Sequence, residues 1–375
     1  RTVAVGGGFG SKAGTYVEHL LTCKAAQVLD RPVKWTETRS ENMLSMNHGR
    51  GHVHYVELGV KRDGTITGIR VRSVADAGAY PSIGAFLPFF TQMMAQNVYV
   101  IPKVEFNWQA VLTNTTPVAA YRGAGRPEAI HLVERILDVA ADEIGMDPAE
   151  IRRKNYIPPD AFPFTTTVGF ATYDSGEYEK ALDAVLEAAG YAELREEQAA
   201  RRASGTGPLV GIGVASYLEI SAPMVLTQEY GAVEINDDGT VVARVGTSAH
   251  GQGHETTFAM IISDVLGVPM EKVTVLQSDT AEVPHGGGTG GSRSLQIGGS
   301  ALKVASEEVL DQAKQLAAHL LEASPDDIVA GDDGLQVAGV PARALAWREL
   351  AQAVKDPARR PEGMADRLAH AGDFA

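Results

Sequence analysis

The sequence has 375 residues, of which 44% are hydrophobic and 21% charged, the composition of a globular protein long enough for two or three domains. Its formal net charge of −14 disfavours a nucleic-acid partner, because contacts to phosphate groups need a basic face. No apolar run approaches the roughly 20 residues of a membrane-spanning helix, so we expect a cytoplasmic protein without a membrane span.

The first third of the chain predicts strands, a glycine loop, one helix and a hairpin. Residues 14–29 carry a helical pattern that ends before Arg31-Pro32, because the residue before a proline avoids the α region. Asp63-Gly64 is typical of a hairpin turn between two alternating strands. The predicted strands are Thr2–Val5, Val33–Thr36, His52–Lys61, Ile66–Val74 and Val104–Leu112.

The predicted helix contains Cys23, the only cysteine of the sequence. One thiol cannot form an intrachain disulfide, a structural zinc site or an iron–sulfur cluster. We interpret Cys23 as a small buried apolar residue rather than a catalytic thiol. Any iron–sulfur chemistry therefore has to reside on another chain.

The middle of the chain is predicted to be helical and to end in a linker. Pro127–Ile144 has an apolar stripe between an initiating proline and the terminating Gly145. Residues 204–208, Ser-Gly-Thr-Gly-Pro, form the best linker. The other predicted helices are Asp147–Tyr156, Tyr178–Ala189 and 193–203, and residues 158–173 are predicted to be irregular.

Strands and helices resume after this linker. The predicted strands are Val210–Tyr217, Glu229–Ile235, Thr240–Gly246 and Lys272–Gln277, and the predicted helices are Thr256–Leu266 and Gly299–Leu321. Mixed sheets with helices in each half predict the α+β class, as two mixed α/β domains over residues 1–203 and 208–375. The sequence lacks an initiator methionine, and we expect it to be a central piece of a longer polypeptide.

The first glycine loop, residues 6–12, permits a nucleotide-binding interpretation. It precedes a helix, and Glu37 follows where a ribose-binding acid lies in a dinucleotide-binding fold. However, Ser11 stands at the third glycine of that fingerprint, and Ala13 replaces the Ser or Thr of a P-loop. A Rossmann-type NAD-dependent dehydrogenase is therefore one alternative for this chain.

The second glycine-bearing loop places Arg122 and Arg126 just before the Pro127 helix. A guanidinium on a tight loop suits recognition of a planar or anionic substrate group. The alternative is a surface arginine in a turn.

The third loop places Gly251, Gln252 and Gly253 before a helix. The unpaired N–H groups and the dipole of a helix N-terminus favour an anion or an oxo ligand, and Gln252 can donate its amide to such an oxygen. His250 and His254 flank this motif, but without a third nearby ligand we interpret them as loop or cap residues rather than metal ligands.

The fourth loop, residues 285–294, combines glycines with Thr289, Ser292, Arg293 and Ser294. It predicts a hydrogen-bonding surface for phosphates or a polar heterocycle, and its alternative is a flexible linker. Glycines let backbone N–H groups approach a ligand closely, so four such loops predict one large polar ligand held mainly by main chain.

Together these loops resemble the molybdenum-binding large subunit of the xanthine dehydrogenase/aldehyde oxidase family of molybdenum hydroxylases, and in style its bacterial carbon monoxide dehydrogenase-like branch. The run Ile151–Asn155 is also typical of that family. The resemblance implies that Arg122 orients the substrate and that no residue ligates molybdenum directly. The cofactor-binding residues it implies are Gly7, Gly8, Phe9, Gly10, Gly251, Gln252, Gly253, Thr256, Thr289, Gly290, Gly291, Ser292 and Ser294.

The sequence departs from the family pattern at three places. Gly123 stands where carbon monoxide dehydrogenases carry a copper-binding cysteine, so we expect no Mo–Cu centre and no oxidation of carbon monoxide. Ala13 replaces a glutamate of the purine-oxidising members, which disfavours purine substrates. The family's catalytic glutamate, in a Gly-x-Gly-Glu motif, and its N-terminal domain are not in this sequence, so we expect a central fragment that is inactive alone.

The resemblance implies an oxidoreductase that hydroxylates an aldehyde or an N-heterocycle with water as the oxygen source. Its implied cofactor is molybdopterin with molybdenum, in the cytosine dinucleotide form. Electrons would pass to [2Fe–2S] centres on a small subunit and to FAD on a medium subunit, in a dimer of heterotrimers. Besides the NAD-dependent enzyme, a cofactor-free scaffold subunit remains an alternative.

Overall fold

The computed structural model describes residues 2, 5–222, 227–331 and 333–375. The chain folds as two compact units: the first unit is residues 9–219, and the second unit is residues 1–8 together with residues 220–375. Both units mix helices with sheets, which confirms the predicted α+β class. The predicted strand Thr2–Val5 includes residues 3 and 4, which lie outside the described residues.

The first unit contains seven helices and five strands among its described residues. Its helices are α1 (Val17–Leu29), α2 (Arg39–Ser45), α3 (Leu87–Met93), α4 (Arg126–Ile144), α5 (Pro148–Asn155), α6 (Tyr178–Ala189) and α7 (Tyr191–Ser204). Its strands are β1 (His52–Val60), β2 (Ile66–Asp76), β3 (Val104–Val111), β4 (Phe164–Thr165) and β5 (Thr172–Tyr173).

A three-stranded sheet in the order β1-β2-β3 organises the first unit. β1 and β2 pair antiparallel across the Asp63-Gly64 turn, which confirms the predicted hairpin, and β3 joins β2 in parallel. The amphipathic helix α4 packs on β1, and its buried residues Leu132 and Leu137 belong to the same apolar core as Val71 of β2. Burial of one helix face against one sheet face therefore builds this core.

The Ile151–Asn155 run stabilises the hairpin and α4. The Asn155 side chain accepts a hydrogen bond from the backbone N–H of Ile66 (2.9 Å) and donates one to the carbonyl of Gly64 (2.8 Å), which holds the turn. Arg152 is fully buried and donates through Nε to Glu134 of α4 at 2.7 Å. Asn155 and Arg152 therefore stabilise the fold of the first unit.

The predicted strand Val210–Tyr217 is wrong, although the segment does alternate between exposed and half-buried residues. Its backbone groups bond to side chains instead of to a neighbouring strand. Ser216 donates its N–H to Glu134 (3.1 Å), and Asn97 donates its amide to the Ser216 carbonyl (2.6 Å). An extended segment whose polar groups are satisfied in this way needs no sheet partner.

Three further predictions in the first unit differ from the structure. Val33–Thr36 has no strand pairing, and the helix predicted from Gly14 begins only at Val17. Cys23 was predicted to be buried, but it is exposed, because no residue of α1 is buried. The periodicity of the sequence located this helix without indicating which of its faces the rest of the chain would cover.

The second unit contains three helices and seven strands among its described residues. Its helices are α8 (His254–Leu266), α9 (Ser300–Leu321) and α10 (Trp347–Ala353). Its strands are β6 (Glu229–Ile235), β7 (Val241–Val245), β8 (Val273–Leu276), β9 (Ile328–Gly331), β10 (Gly334–Val337), β11 (Val340–Ala346) and β12 (Ala369–Phe374).

The long helix α9 packs on the sheet of the second unit, whose strand order is β12-β6-β7-β8. Leu302 and Leu316 of α9 join Phe258 of α8 and Trp347 of α10 in a fully buried core. A single π-turn, Ser294–Gly299, leads from the fourth glycine loop into α9. The fourth loop is therefore attached directly to the helix that contributes the most buried residues to this unit.

Candidate functional site

The second unit brings three glycine segments together: residues 5–8, residues 250–253 and residues 285–294. A Cβ on Gly8 would stand 2.9 Å from Nδ1 of His250, and one on Gly251 would stand 2.9 Å from the carbonyl oxygen of Val5. Ser248 lies two residues before the 250–253 segment, and its N–H donates to the hydroxyl of Thr289 in the 285–294 segment at 3.3 Å. This hydrogen bond connects the two segments. Three of the glycine-bearing segments therefore lie together within the second unit, whereas residues 9–12 and the Arg122 loop belong to the first unit.

A buried ion pair holds the 285–294 segment from inside. Arg293 is 1% exposed and pairs with the equally buried Glu229 of β6, and its guanidinium also donates to the carbonyl of Gly288 at 3.0 Å. Glu229 in turn accepts from the N–H of Gly287 at 3.1 Å. Arg293, which the sequence placed on a ligand-binding surface, therefore shapes the loop instead.

The hydroxyls of Thr289 and Ser294 also act between protein groups. Thr289 donates to the carbonyl of Ser248 (2.5 Å), so Ser294, whose Oγ lies 2.7 Å from the Thr289 hydroxyl, donates to it. Gly290, Gly291 and Ser292 lie exposed between these anchors. The side chains therefore fix the loop, and its exposed part offers mainly backbone groups to a ligand.

Gln252 is exposed, yet hydrogen bonds fix both ends of its amide. Its Oε1 accepts from the backbone N–H of His250 at 2.5 Å, and its Nε2 lies 2.8 Å from Nε2 of His254. The other ring nitrogen of His254 lies 3.0 Å from Oε1 of Gln277. Sequence reasoning identified Gln252 but missed Gln277, because nothing in the local sequence connects the two.

Burial lowers the pKa of His254, against the effect of the Gln277 hydrogen bond, and the neighbouring His250 lowers it further. The ring is 4% exposed and is therefore neutral near pH 7. Both ring nitrogens of His254 face glutamine side chains, so the ring takes part in a hydrogen-bonded row within the second unit.

The helix α8 starts at His254 with a glycine as its N-cap, and no side chain caps its first turn. The first N–H groups of such a helix favour an anionic group. Thr256 is exposed in this first turn, next to the Gly251–Gly253 segment. The helix start therefore suits an anionic group such as a phosphate.

The first unit brings together Phe9, Gly10 and the Arg122 loop. Arg122 donates its backbone N–H to the carbonyl of Phe9 (2.8 Å), and its guanidinium carbon lies 5.6 Å from the centre of the Phe9 ring. A Cβ on Gly10 would stand 2.7 Å from the carbonyl oxygen of Ala120. Arg122 itself is exposed, so its charged group is presented on an aromatic face.

A second arginine clamps this loop, and sequence reasoning missed it. Arg50 donates to the carbonyls of Tyr121 (3.0 Å) and Arg122, and it pairs with the buried Glu128 of α4 at 3.3 Å. Glu128 also accepts from the N–H of Gly125 at 3.0 Å. The Gly125-to-Glu128 spacing is a helix-start signal that could have found Glu128, but Arg50 carries no such signal.

Arg126, the other arginine of this loop, is buried and pairs through Nε with Glu219 at 2.7 Å. By contrast, the guanidinium of Arg122 has no carboxylate partner within the part of the chain that the structure describes. Of the two arginines that the sequence considered for substrate recognition, Arg122 is the one in a position to meet an external group.

Gly123 has no space for a side chain. Its φ is +101°, and a Cβ there would stand 2.5 Å from Cγ of Pro127, the second residue of α4. A side chain at this position would need both a rare backbone conformation and movement of the helix start. In this conformation the loop therefore requires glycine at position 123.

The dinucleotide-binding alternative lacks its structural elements. No strand covers Val33–Thr36, α1 does not start at the glycine loop, and Glu37 accepts a hydrogen bond from Asn42 at 2.5 Å.

Among the described residues, no three His, Cys, Asp or Glu side chains are grouped to hold a metal ion. No helix within the described ranges is long and apolar enough to cross a membrane.

Comparison with known families gives two matches, both described as molybdopterin cofactor-binding domain. One covers residues 1–156, and the other covers residues 184–372. Together they include all the glycine segments described above.

The sequence is 39% identical over 368 residues to the carbon monoxide dehydrogenase large chain of Hydrogenophaga pseudoflava, covering 94% of this chain and 46% of that protein. It is 36% identical over 360 residues to the 6-hydroxypseudooxynicotine dehydrogenase complex subunit gamma of Paenarthrobacter nicotinovorans, covering 95% of this chain and 45% of that subunit. The chain thus spans about half the length of these curated relatives.

The fold is similar to the crystal structure of quinoline 2-oxidoreductase from Pseudomonas putida 86, with a TM-score of 0.90 and 34% sequence identity. The match covers 99% of this chain and 48% of that one.

Proposed function

The chain belongs to the molybdopterin cofactor-binding domain family, and from this we propose that it forms the cofactor-binding part of a molybdenum hydroxylase. The observation that carries the proposal is the convergence of residues 5–8, 250–253 and 285–294 in the second unit, with backbone groups and one fixed amide exposed. When bound, molybdopterin supplies the two-electron oxidation chemistry, and the protein supplies binding and orientation.

Residues of the second unit would hold the pterin and its phosphates. Gly251, Gly253 and Thr256 surround the open start of α8, where N–H groups and the helix dipole stabilise negative charge. Gln252 has an amide hydrogen beyond the one directed at His254, and it would donate that hydrogen to the cofactor. The exposed segment Gly290–Ser292 would add backbone donors, while Thr289 and Ser294 keep it in shape. Gly7 and Gly8, which have no side chain, would let the backbone approach the cofactor closely.

Residues of the first unit would position the substrate. Arg122 presents its guanidinium on Phe9, and Arg50 fixes the backbone that carries it. A guanidinium held in this way can orient a planar substrate by hydrogen bonding or stacking. Phe9 and Gly10 would contribute to the cofactor environment, as the family resemblance implies.

The proposed reaction is hydroxylation of an N-heterocycle or an aldehyde with an oxygen atom from water. An N-heterocycle is favoured because quinoline is named in the solved structure that shares 34% identity with this chain. Oxidation of carbon monoxide is disfavoured, since Gly123 leaves no space for a metal-binding side chain.

We also propose the cytosine dinucleotide form of the cofactor, a small iron–sulfur subunit, a medium FAD subunit and a dimer of such heterotrimers in the cytoplasm. Two observations support separate partner subunits. The chain's single cysteine cannot hold an iron–sulfur cluster, and the similar Paenarthrobacter protein is named as a subunit of a complex.

Elemental mass spectrometry of the native full-length assembly tests the cofactor. About one molybdenum per large subunit, with iron and acid-released CMP, is the expected result. A well-folded assembly without molybdenum or nucleotide would contradict the proposal and favour the scaffold alternative.

Isotope labelling tests the reaction. Turnover of quinoline and of an aromatic aldehyde is measured in H2(18)O with an artificial electron acceptor, and the label is expected in the product. Turnover that still requires NAD when the artificial acceptor is present, or product oxygen that comes from O2, would contradict the proposal.

A further inference from the structure

The hydrogen-bonded row Gln277–His254–Gln252 connects the interior of the second unit to its exposed Gly251–Gly253 segment. His254 is 4% exposed, and its ring lies 4.8 Å from that of Phe258 in the core. Gln277 follows β8, the edge strand of the sheet. The row therefore runs from rigid secondary structure to the glutamine that the proposed function places at the cofactor.

Hydrogen-bond chemistry determines the direction of every bond in this row. Oε1 of Gln252 accepts from the backbone N–H of His250, so the Gln252 amide points its NH2 group at His254. Nε2 of His254 must then be the acceptor, and Nδ1 carries the proton that Oε1 of Gln277 accepts at 3.0 Å. His254 is fixed as one neutral tautomer.

We propose that His254 is a positioning residue for Gln252: as an Nδ1–H tautomer held by Gln277, it fixes the carboxamide of Gln252 so that one amide hydrogen remains for the bound cofactor. The inference rests on the proposed function for the identity of that cofactor. The positioning itself depends only on contacts within the second unit. Lowering of the His254 pKa by burial supports it, because a protonated ring could not accept from Gln252.

Three variants of the full-length assembly separate positioning from packing. His254→Phe keeps an aromatic ring against Phe258 but removes both ring nitrogens. His254→Gln restores an acceptor near the place of Nε2. His319→Phe makes the same chemical change at an exposed position of α9 and serves as the matched control.

For His254→Phe we expect a normal molybdenum content, a kcat lower by about 10-fold or more, a nearly unchanged KM and shifted g-values of the Mo(V) electron paramagnetic resonance signal. His254→Gln should recover most of the kcat and the original g-values. His319→Phe should resemble the unmodified protein. A loss of molybdenum in proportion to the loss of turnover would overturn the inference, since it would show a purely structural role.

A double-mutant cycle with Gln252→Leu provides the decisive comparison. If His254 acts through Gln252, adding His254→Phe to Gln252→Leu should lower kcat no further, and the shifts in Tm should likewise be less than additive. Losses that multiply in kcat and add in Tm would overturn the inference.

The two proposals fail differently. An unmodified assembly without molybdenum would refute the proposed function, and the Tm cycle would still decide whether the two side chains are coupled. An assembly that contains molybdenum and turns over but shows no coupling would refute only the positioning role of His254.

Discussion

The Arg122 loop and the 285–294 segment both combine glycines with arginine, yet their arginines have different environments. Arg293 is buried with Glu229, and Arg126 is buried and pairs with the exposed Glu219, so both guanidiniums stabilise the loops that contain them. Arg122 instead lies exposed on the Phe9 ring. An arginine in a glycine loop therefore becomes available to a ligand only where no carboxylate from another element reaches it.

The largest expected effect belongs to the buried pair. Arg293→Met should lower the free energy of unfolding by about 3–5 kcal/mol, because Glu229 would keep a buried charge without its partner. Chemical denaturation of the purified assembly, followed for this subunit, measures the change.

Arg70→Met is the matched control, because Arg70 is exposed and pairs with the exposed Glu57 and Glu105. Its loss should change the free energy of unfolding little, because solvent screens exposed ion pairs. If both variants lose the same free energy of unfolding, burial does not distinguish these two ion pairs. The structural role assigned to Arg293 in its loop would then be wrong.

Arg122→Met should reduce turnover by about 100-fold, since a misplaced substrate loses reactive geometry. Its Tm should remain nearly unchanged, because the guanidinium is exposed and lies on the exposed Phe9 ring. Arg126→Met should show the opposite pattern, with a lower Tm and a kcat per folded enzyme close to that of the unmodified protein. If Arg122→Met lowers the Tm and Arg126→Met lowers the turnover instead, the structural assignment of the two arginines is wrong.

Gly123→Cys should lower the free energy of unfolding by about 1–3 kcal/mol, owing to the positive φ and the contact with Pro127. It should not produce carbon monoxide oxidation when copper is supplied. Gly290→Ala is the control, because a Cβ there meets nothing within 4 Å and its φ is not positive. A stable Gly123→Cys variant that binds copper would contradict the steric argument.

A pH dependence of the first unit is also expected. Burial and the neighbouring His52 lower the pKa of His54 to about 4, so the unfolded chain binds this proton more readily than the folded chain. Stability should therefore fall as the pH decreases from about 6.5 towards 4. Thermal unfolding at several pH values measures this, and His54→Phe should flatten the dependence. If His54→Phe leaves the slope of Tm against pH unchanged, other titratable groups cause the pH dependence.

The sequence by itself determined the elements whose causes are local. The apolar stripe of α4 between Pro127 and Gly145, and the hairpin at Asp63-Gly64, follow from residues a few positions apart. The glycine loops were recognisable for the same reason. Their order along the chain indicated the cofactor family before any contact was known.

The tertiary structure decided which polar side chains remain for a ligand. Arg293 meets an acid 64 positions away, Arg50 clamps a loop 71 positions away, and Gln277 fixes a histidine 23 positions away. It also decided that Val210–Tyr217 bonds to side chains and that Cys23 is exposed. Periodicity describes how a segment relates to its own neighbours, whereas burial and hydrogen bonding depend on residues that only the folded chain brings within a few ångströms.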